Sequence, residues 1–191
     1  MGNVPIQSSN AKTAIAMKTY LEIKVPLYTD VTWYKSLLCS FRDVNTNWQK
    51  GYWHITTAFI DDTPFDVDVA AVIDKHLRGV KPMSIELDTL GVFATPSGKS
   101  KIIYITASNP PSSLLSFISD IREELSGVGC VMETEFRLHI TLGRVFDDNY
   151  DVPELQNKLG QVEVKPFKVT LAEADYREFR GREIQNWYFT S

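Results

Sequence analysis

WHITTAF, residues Trp53–Phe59, sets a histidine and two threonines inside a run that otherwise reads as a buried strand. Its aromatic and β-branched residues favour extended backbone. Side chains at i and i+2 of a strand share a face, so His54 and Thr56 point one way and Ile55 the other. An apolar core would accept Ile55 and hold the register, because a slip of one residue would bury the polar pair. RLHITLGR, Arg137–Arg144, repeats the tripeptide as His139, Ile140 and Thr141. The chain has only three histidines, and two of them occupy this one pattern.

The sequence upstream of the two copies is also matched. A strand-like segment ends near Pro26 and another near Pro110; a leucine-bearing helical segment follows each. His54 then comes 28 residues after Pro26, and His139 comes 29 after Pro110. Strand, proline turn, helix, loop and His-Ile-Thr strand thus occur twice. The repeat predicts two similar lobes related by an approximate twofold axis, with both motif strands at a common cleft.

The rest of the chain alternates in the same way. TYLEIKVPL (Thr19–Leu27) reads as a strand ended by Pro26. DVTWYKSLLCSFRDV reads as a helix with Asp30 or Thr32 as N-cap, and NTNWQKG as a loop. Pro64–Val80 reads as a helix, and MSIELDTLGVFAT and SKIIYITAS as two strands about the turn PSGK. PPSSLLSFISDIREELSGVG carries leucine and isoleucine at helical spacing, serines for a cap and glycine at its end. VPELQNKLG is a short helix, and two closing strands follow. The class is α+β, with antiparallel sheets backed by helices. Residues 1–16 read as a polar lead-in and 17–191 as one domain.

Composition narrows the function. The 191 residues are 43% hydrophobic and 23% charged, with a formal net charge of −4. That acidic balance argues against broad gripping of duplex DNA or long RNA, though not against a local pocket for one phosphate. No apolar run approaches the roughly 20 residues of a membrane span, and the N-terminus has no apolar signal core. Cys39 and Cys130 read as free thiols in a reducing compartment. The expected location is cytoplasmic, and the expected state a monomer.

Two imidazoles and two hydroxyls in one cleft suit phosphodiester cleavage. A neutral histidine can take a proton from water or a sugar hydroxyl. A protonated one can give a proton to the departing oxygen, while threonine hydroxyls hold the non-bridging oxygens. Histidine suits both tasks because its ordinary pKa of about 6.5 lets both forms exist near neutrality. This chemistry calls for no metal and no cofactor. One His-x-Thr alone is more often structural; the matched pair points to His54, Thr56, His139 and Thr141 as catalytic. His76, near a helix end, reads as a solvated residue favourable to the helix dipole. A zinc site lacks further ligands at suitable spacing, and GVFATPSGKS lacks phosphate-loop spacing. Tyr28, Trp48 and Trp53 are candidates to stack on a base. Packing is the commoner role of such aromatics, and Tyr28 is carried as the substrate-binding candidate.

Two H-x-[ST] motifs on strands of a duplicated α+β fold resemble the 2H phosphoesterase superfamily, in particular the bacterial 2'-5' RNA ligase-like proteins. His54-Ile55-Thr56-Thr57-Ala58-Phe59 is similar to that family's H-x-T-L-x-F, and His139-Ile140-Thr141-Leu142-Gly143-Arg144 to its H-x-T-L-x-R. MSIELDTLGVFATPSGKSKIIYITAS and FKVTLAEADYREFRG are also similar, so the resemblance runs from about Thr19 to Phe189. It implies a bilobal fold around a central cleft and metal-independent action on cyclic phosphates or 2'-5' linkages. His54 and His139 become the acid–base pair, Thr56 and Thr141 the phosphate binders, and Arg144 the family's arginine. A straight strand would turn Arg144 away from His139, so a phosphate contact requires a bend or bulge. Thr57 departs from the usual aliphatic residue.

The expected activity is hydrolysis of a 2',3'-cyclic phosphate, on an RNA end or small nucleotide, to a 2'-phosphate. The same motifs would serve cleavage of 2'-5' oligoadenylate or a cyclic oligonucleotide, reversible 2'-5' ligation, or binding of an RNA end without chemistry.

Overall fold

In the computed structural model, the described residues are 18–28, 31–132 and 135–190. The expected lead-in of residues 1–16 and the expected cap Asp30 lie outside them. In chain order the elements are β1 (Thr19–Val25), α1 (Thr32–Ser40), β2 (Thr46–Trp48), β3 (Trp53–Asp62), α2 (Val69–Leu77), β4 (Met83–Leu87), β5 (Thr89–Ala94) and β6 (Lys101–Thr106). They continue with α3 (Ser112–Gly127), β7 (Val131–Met132), β8 (Ile140–Val145), α4 (Val152–Leu159), β9 (Phe167–Leu171), β10 (Glu173–Glu178) and β11 (Glu183–Tyr188).

The strands run β11-β10-β1-β3-β8-β6-β5, with β2 added on β8 and β7 on β3, while β4 and β9 form a separate pair. Exchanging β1 with β6, β2 with β7, β3 with β8, β4 with β9 and β5 with β10 leaves this scheme unchanged apart from β11, which extends it beyond β10 and has no counterpart beyond β5 among the described strands. The twofold relation expected from the repeat is therefore present in the topology, and its axis falls between β3 and β8. Each lobe's short strand crosses to pair with the other lobe's motif strand. The two half-sheets meet at a single registered pair, Ile55 opposite Ile140.

One face of the sheet is apolar. Ile23 pairs with Ile55, Ile55 with Ile140 and Ile140 with Ile105, a row of four isoleucines spanning both lobes and fully buried. Each contributes on the order of 1.5–3 kcal/mol by leaving water. Leu37 of α1, Ile73 and Leu77 of α2, Ile118 and Leu125 of α3 and Leu155 of α4 join the same core. The helices therefore cover this face, and Tyr20, Glu22 and Lys24, alternating with Leu21, Ile23 and Val25 along β1, mark the other.

Several boundaries differ from the sequence reading for local reasons. The MSIELDTLGVFAT segment breaks at Asp88, whose carboxylate accepts from Thr89 Oγ1 at 2.7 Å and the Ser108 N–H at 2.8 Å. The break frees β4 to pair with β9. The expected 64–80 helix shortens to α2, capped by Asp68 accepting from the Ala71 N–H. Thr32 is not an N-cap, because the cap of α1 is Val31; nor do serines cap α3, which starts after Pro111. The loop expected at NTNWQKG contains β2, held on β8 by backbone pairing.

Candidate active site

The Ile55–Ile140 pair decides the geometry. In an antiparallel register through it, His54 stands opposite Thr141 and Thr56 opposite His139. The four motif side chains form a checkerboard on the face away from the isoleucine row. Lys24 flanks His54 on β1 and Tyr104 flanks Thr141 on β6.

Both motif strands then bulge at the same motif position. On β3 the register with β1 shifts so that Glu22 faces Thr56 but Leu21 faces Ala58, leaving Thr57 as the extra residue. On β8 the register with β6 shifts so that Tyr104 faces Thr141 but Ile103 faces Gly143, leaving Leu142 extra. A bulge inserts one residue and reverses the alternation beyond it. Thr57, fully buried, donates from Oγ1 to the Leu21 carbonyl at 3.1 Å. That bond accounts for a threonine where an aliphatic residue is usual. The Leu142 carbonyl likewise accepts from the Gln49 N–H at 2.8 Å. Beyond the bulges, Phe59 and Arg144 return to the face of the histidines. Arg144 is exposed, and its guanidinium donates to Ser100 Oγ at 3.4 Å. The bend that the sequence reading required for Arg144 is this bulge.

His139 lies one residue before β8. Its Nδ1 stands 2.8 Å from the Arg137 carbonyl, which can only accept, so Nδ1 carries a hydrogen. The ring meets Phe93 edge-on, centroids 5.2 Å apart, and Tyr104 at 6.0 Å. The strand starts late because side chains take the preceding carbonyls: His139 that of Arg137, and Thr106 Oγ1 that of Leu138 at 2.8 Å.

His54 is held differently. Its Nδ1 lies 3.4 Å from Oε2 of Glu22, a carboxyl on β1 with no solvent exposure. Neither atom has a hydrogen-bond partner among the described residues. The other oxygen, Oε1, accepts from the Tyr52 hydroxyl at 2.5 Å. Burial pushes Glu22 up to about 7. Burial first, then the positive charges of His139 and Arg177, holds His54 down at about 4. His54 is thus a neutral imidazole across the physiological range. Its ring is flanked by Tyr52 at 5.8 Å and Tyr20 at 6.3 Å.

Behind Glu22 the polar face continues as a network. Asp175 on β10 is fully buried between Lys24 Nζ at 3.0 Å and Arg177 at 3.3 Å, and Asn186 of β11 donates to it. Glu22, Tyr52 and this network escaped the sequence reading. In TYLEIKV the residues Tyr20, Glu22 and Lys24 simply alternate with apolar ones, the pattern of a strand with one wet face. Nothing local marks that face as enclosed.

Other candidates fall elsewhere. Tyr28 is exposed and lines a cavity of about 1070 Å³ between α1 and β9, with Trp33 and Phe167, to which no motif residue contributes. Trp48 and Trp53 pack edge-on around Tyr34. His76 is half-buried and joins α2 to α3 through Glu124, Nε2 to Oε2 being 2.6 Å. Cys39 and Cys130 are both free.

Residues 105–180, which include the second motif, match the family model described as LigT like phosphoesterase. An RNA 2',3'-cyclic phosphodiesterase of Methanocaldococcus jannaschii is 29% identical over 133 residues, 69% of this chain and 68% of that protein. One of Archaeoglobus fulgidus is 26% identical over 123 residues, 61% of this chain and 68% of that protein. Among solved structures, Escherichia coli LigT complexed with 3'-AMP superposes with a TM-score of 0.62 at 16% identity, covering 92% of this chain and 99% of that one. Kluyveromyces marxianus Usb1 superposes at 0.61 and 10% identity, covering 91% and 99%. These structural likenesses are likenesses of fold. No described helix is long and apolar enough to cross a membrane.

Proposed function

We propose that this LigT-like phosphoesterase of the 2H superfamily hydrolyses a 2',3'-cyclic phosphate on an RNA end or small nucleotide to a 2'-phosphate. The observation that carries the reading is the Ile55–Ile140 pairing, which gathers two imidazoles and two threonine hydroxyls into one patch. The two archaeal relatives named for this activity support the substrate class.

His54 is the general base, because burial keeps it neutral. Its Nε2 takes a proton from a water as the water oxygen attacks phosphorus. His139, protonated and oriented by the Arg137 carbonyl, gives the Nε2 proton to the 3'-oxygen as the P–O3' bond breaks. Thr56 and Thr141 donate to the non-bridging oxygens, and Arg144 adds positive charge beside them. None of these steps requires a metal. We place the reaction in the cytosol, in keeping with two free cysteines, and assign it to a monomer.

Phosphorus NMR of 2',3'-cyclic AMP incubated with the protein in EDTA tests the reading. A 2'-monophosphate signal that His139→Ala fails to produce is the expected result. A 3'-monophosphate product, or an unimpaired His139→Ala, would contradict it.

A further inference from the structure

We infer that Glu22 is a positioning residue that decides which nitrogen of His54 carries the proton, and thereby switches Nε2 between donor and base. The inference rests on the proposed function only in assigning the catalytic work to Nε2.

The argument starts from the two carboxyl oxygens. Oε1 already accepts from the Tyr52 hydroxyl, and burial raises Tyr52 further so that it stays a donor. Any proton on the carboxyl therefore sits on Oε2, which faces His54 Nδ1. With Glu22 protonated, Oε2–H donates to Nδ1 and the neutral ring holds its hydrogen on Nε2, where it cannot act as a base. Loss of one proton to solvent leaves a carboxylate at Oε2. Nδ1 then takes the hydrogen, Nε2 presents a lone pair, and the pair's net charge goes from zero to minus one. The nearby carboxylate also strengthens a base that burial alone makes weak.

The groups facing Glu22 explain why its ionisation falls in the working range. Tyr20 and Lys24 flank it on β1, Tyr52 and His54 come from β3 and the turn before it, and Asp175 and Arg177 come from β10. Both cations are already engaged, Lys24 by Glu173 and Asp175, and Arg177 by Asp175. They offset the buried Asp175 and leave Glu22 to be governed by its own burial, at about 7.

Long-range nitrogen–proton NMR of the full-length chain labelled at histidine nitrogen reads the tautomer directly and needs no turnover. The hydrogen of His54 is expected on Nε2 below about pH 7 and on Nδ1 above it, with kcat rising in parallel. In Glu22→Gln the transition disappears from both readouts, and kcat above that pH falls by about a hundredfold with little change in KM. Tyr52→Phe removes the donor to Oε1 and is expected to move the transition to higher pH. An unchanged His54 tautomer across the range, or a Glu22→Gln protein that keeps the transition, overturns the inference. So does an unmoved midpoint in Tyr52→Phe. If cyclic phosphate is not turned over but the tautomer still switches, the proposed function fails and the role of Glu22 stands.

Discussion

The two histidines come from one repeated tripeptide, yet the lobes treat them differently. His139 is fixed by its own neighbour, a carbonyl two residues back, on open backbone before β8. His54 instead has a titratable carboxyl from another strand 3.4 Å from its Nδ1, buried among tyrosines and a charge network. A carbonyl imposes one tautomer at every pH; a carboxyl imposes one or the other. A twofold fold thus yields an unsymmetrical site. The asymmetry comes from β1 and β10 in one lobe against β6 and β5 in the other: the first pair of strands carries Glu22, Lys24, Asp175 and Arg177, the second Tyr104 and Phe93.

The strongest way to break this comparison is to remove each histidine. His54→Ala and His139→Ala are each expected to lower kcat/KM by roughly 10²–10⁴. The double variant should be little worse than the poorer single, since acid and base act in one step. Steady-state kinetics checks this; additive losses would mean two independent roles.

A smaller effect separates the lobes by stability. Glu22 is raised in the fold from its ordinary 4.5 to about 7, so its contribution is fully present below 4.5 and is lost as pH rises through 7. His54, lowered from 6.5 to about 4, has the opposite sign: its contribution is present above 6.5 and lost as pH falls towards 4. Glu22→Gln removes only the first. Its stability relative to the parent should therefore grow between those pH limits by about 1–3 kcal/mol, read by denaturant unfolding. A difference that is flat with pH would mean that Glu22 is ionised throughout.

Arg144 and Phe59 occupy the same motif position beyond matched bulges, and they sharpen the comparison further. Arg144→Ala is expected to raise KM or lower kcat by about tenfold, because one charged hydrogen-bond donor is lost. Phe59→Ala should leave catalysis nearly intact and cost on the order of 1–3 kcal/mol of stability, since Phe59 stacks on Tyr20 and meets Phe179. Gly143, just past its bulge, admits no side chain, for a Cβ there would stand 2.7 Å from the Trp48 ring. Gly143→Ala should destabilise by about 1–3 kcal/mol and blunt the role of Arg144. Thermal unfolding beside kinetics distinguishes these outcomes.

What the sequence made legible follows the same division. The strand alternation of His-Ile-Thr and its repetition were enough to predict the shared polar face, the twofold plan and the expected partners His54 and His139. Spacing could not reveal the bulges at Thr57 and Leu142, because a bulge depends on how two distant strands align. Glu22 was hidden for a related reason. Its burial comes from Tyr52, β10 and β11 closing over a face that β1 alone presents as ordinary surface. Tyr28 shows another limit: an aromatic near a strand end drew attention, and only the fold shows that it lines a cavity apart from the motif residues.

The most direct test of the central claim, that the two motifs form one site, is a titration of the nitrogen-labelled protein with 2'-AMP. Nε2 of His54 and Nε2 of His139 should shift together along a single binding curve. A ligand that moves one histidine and leaves the other unchanged would contradict the account.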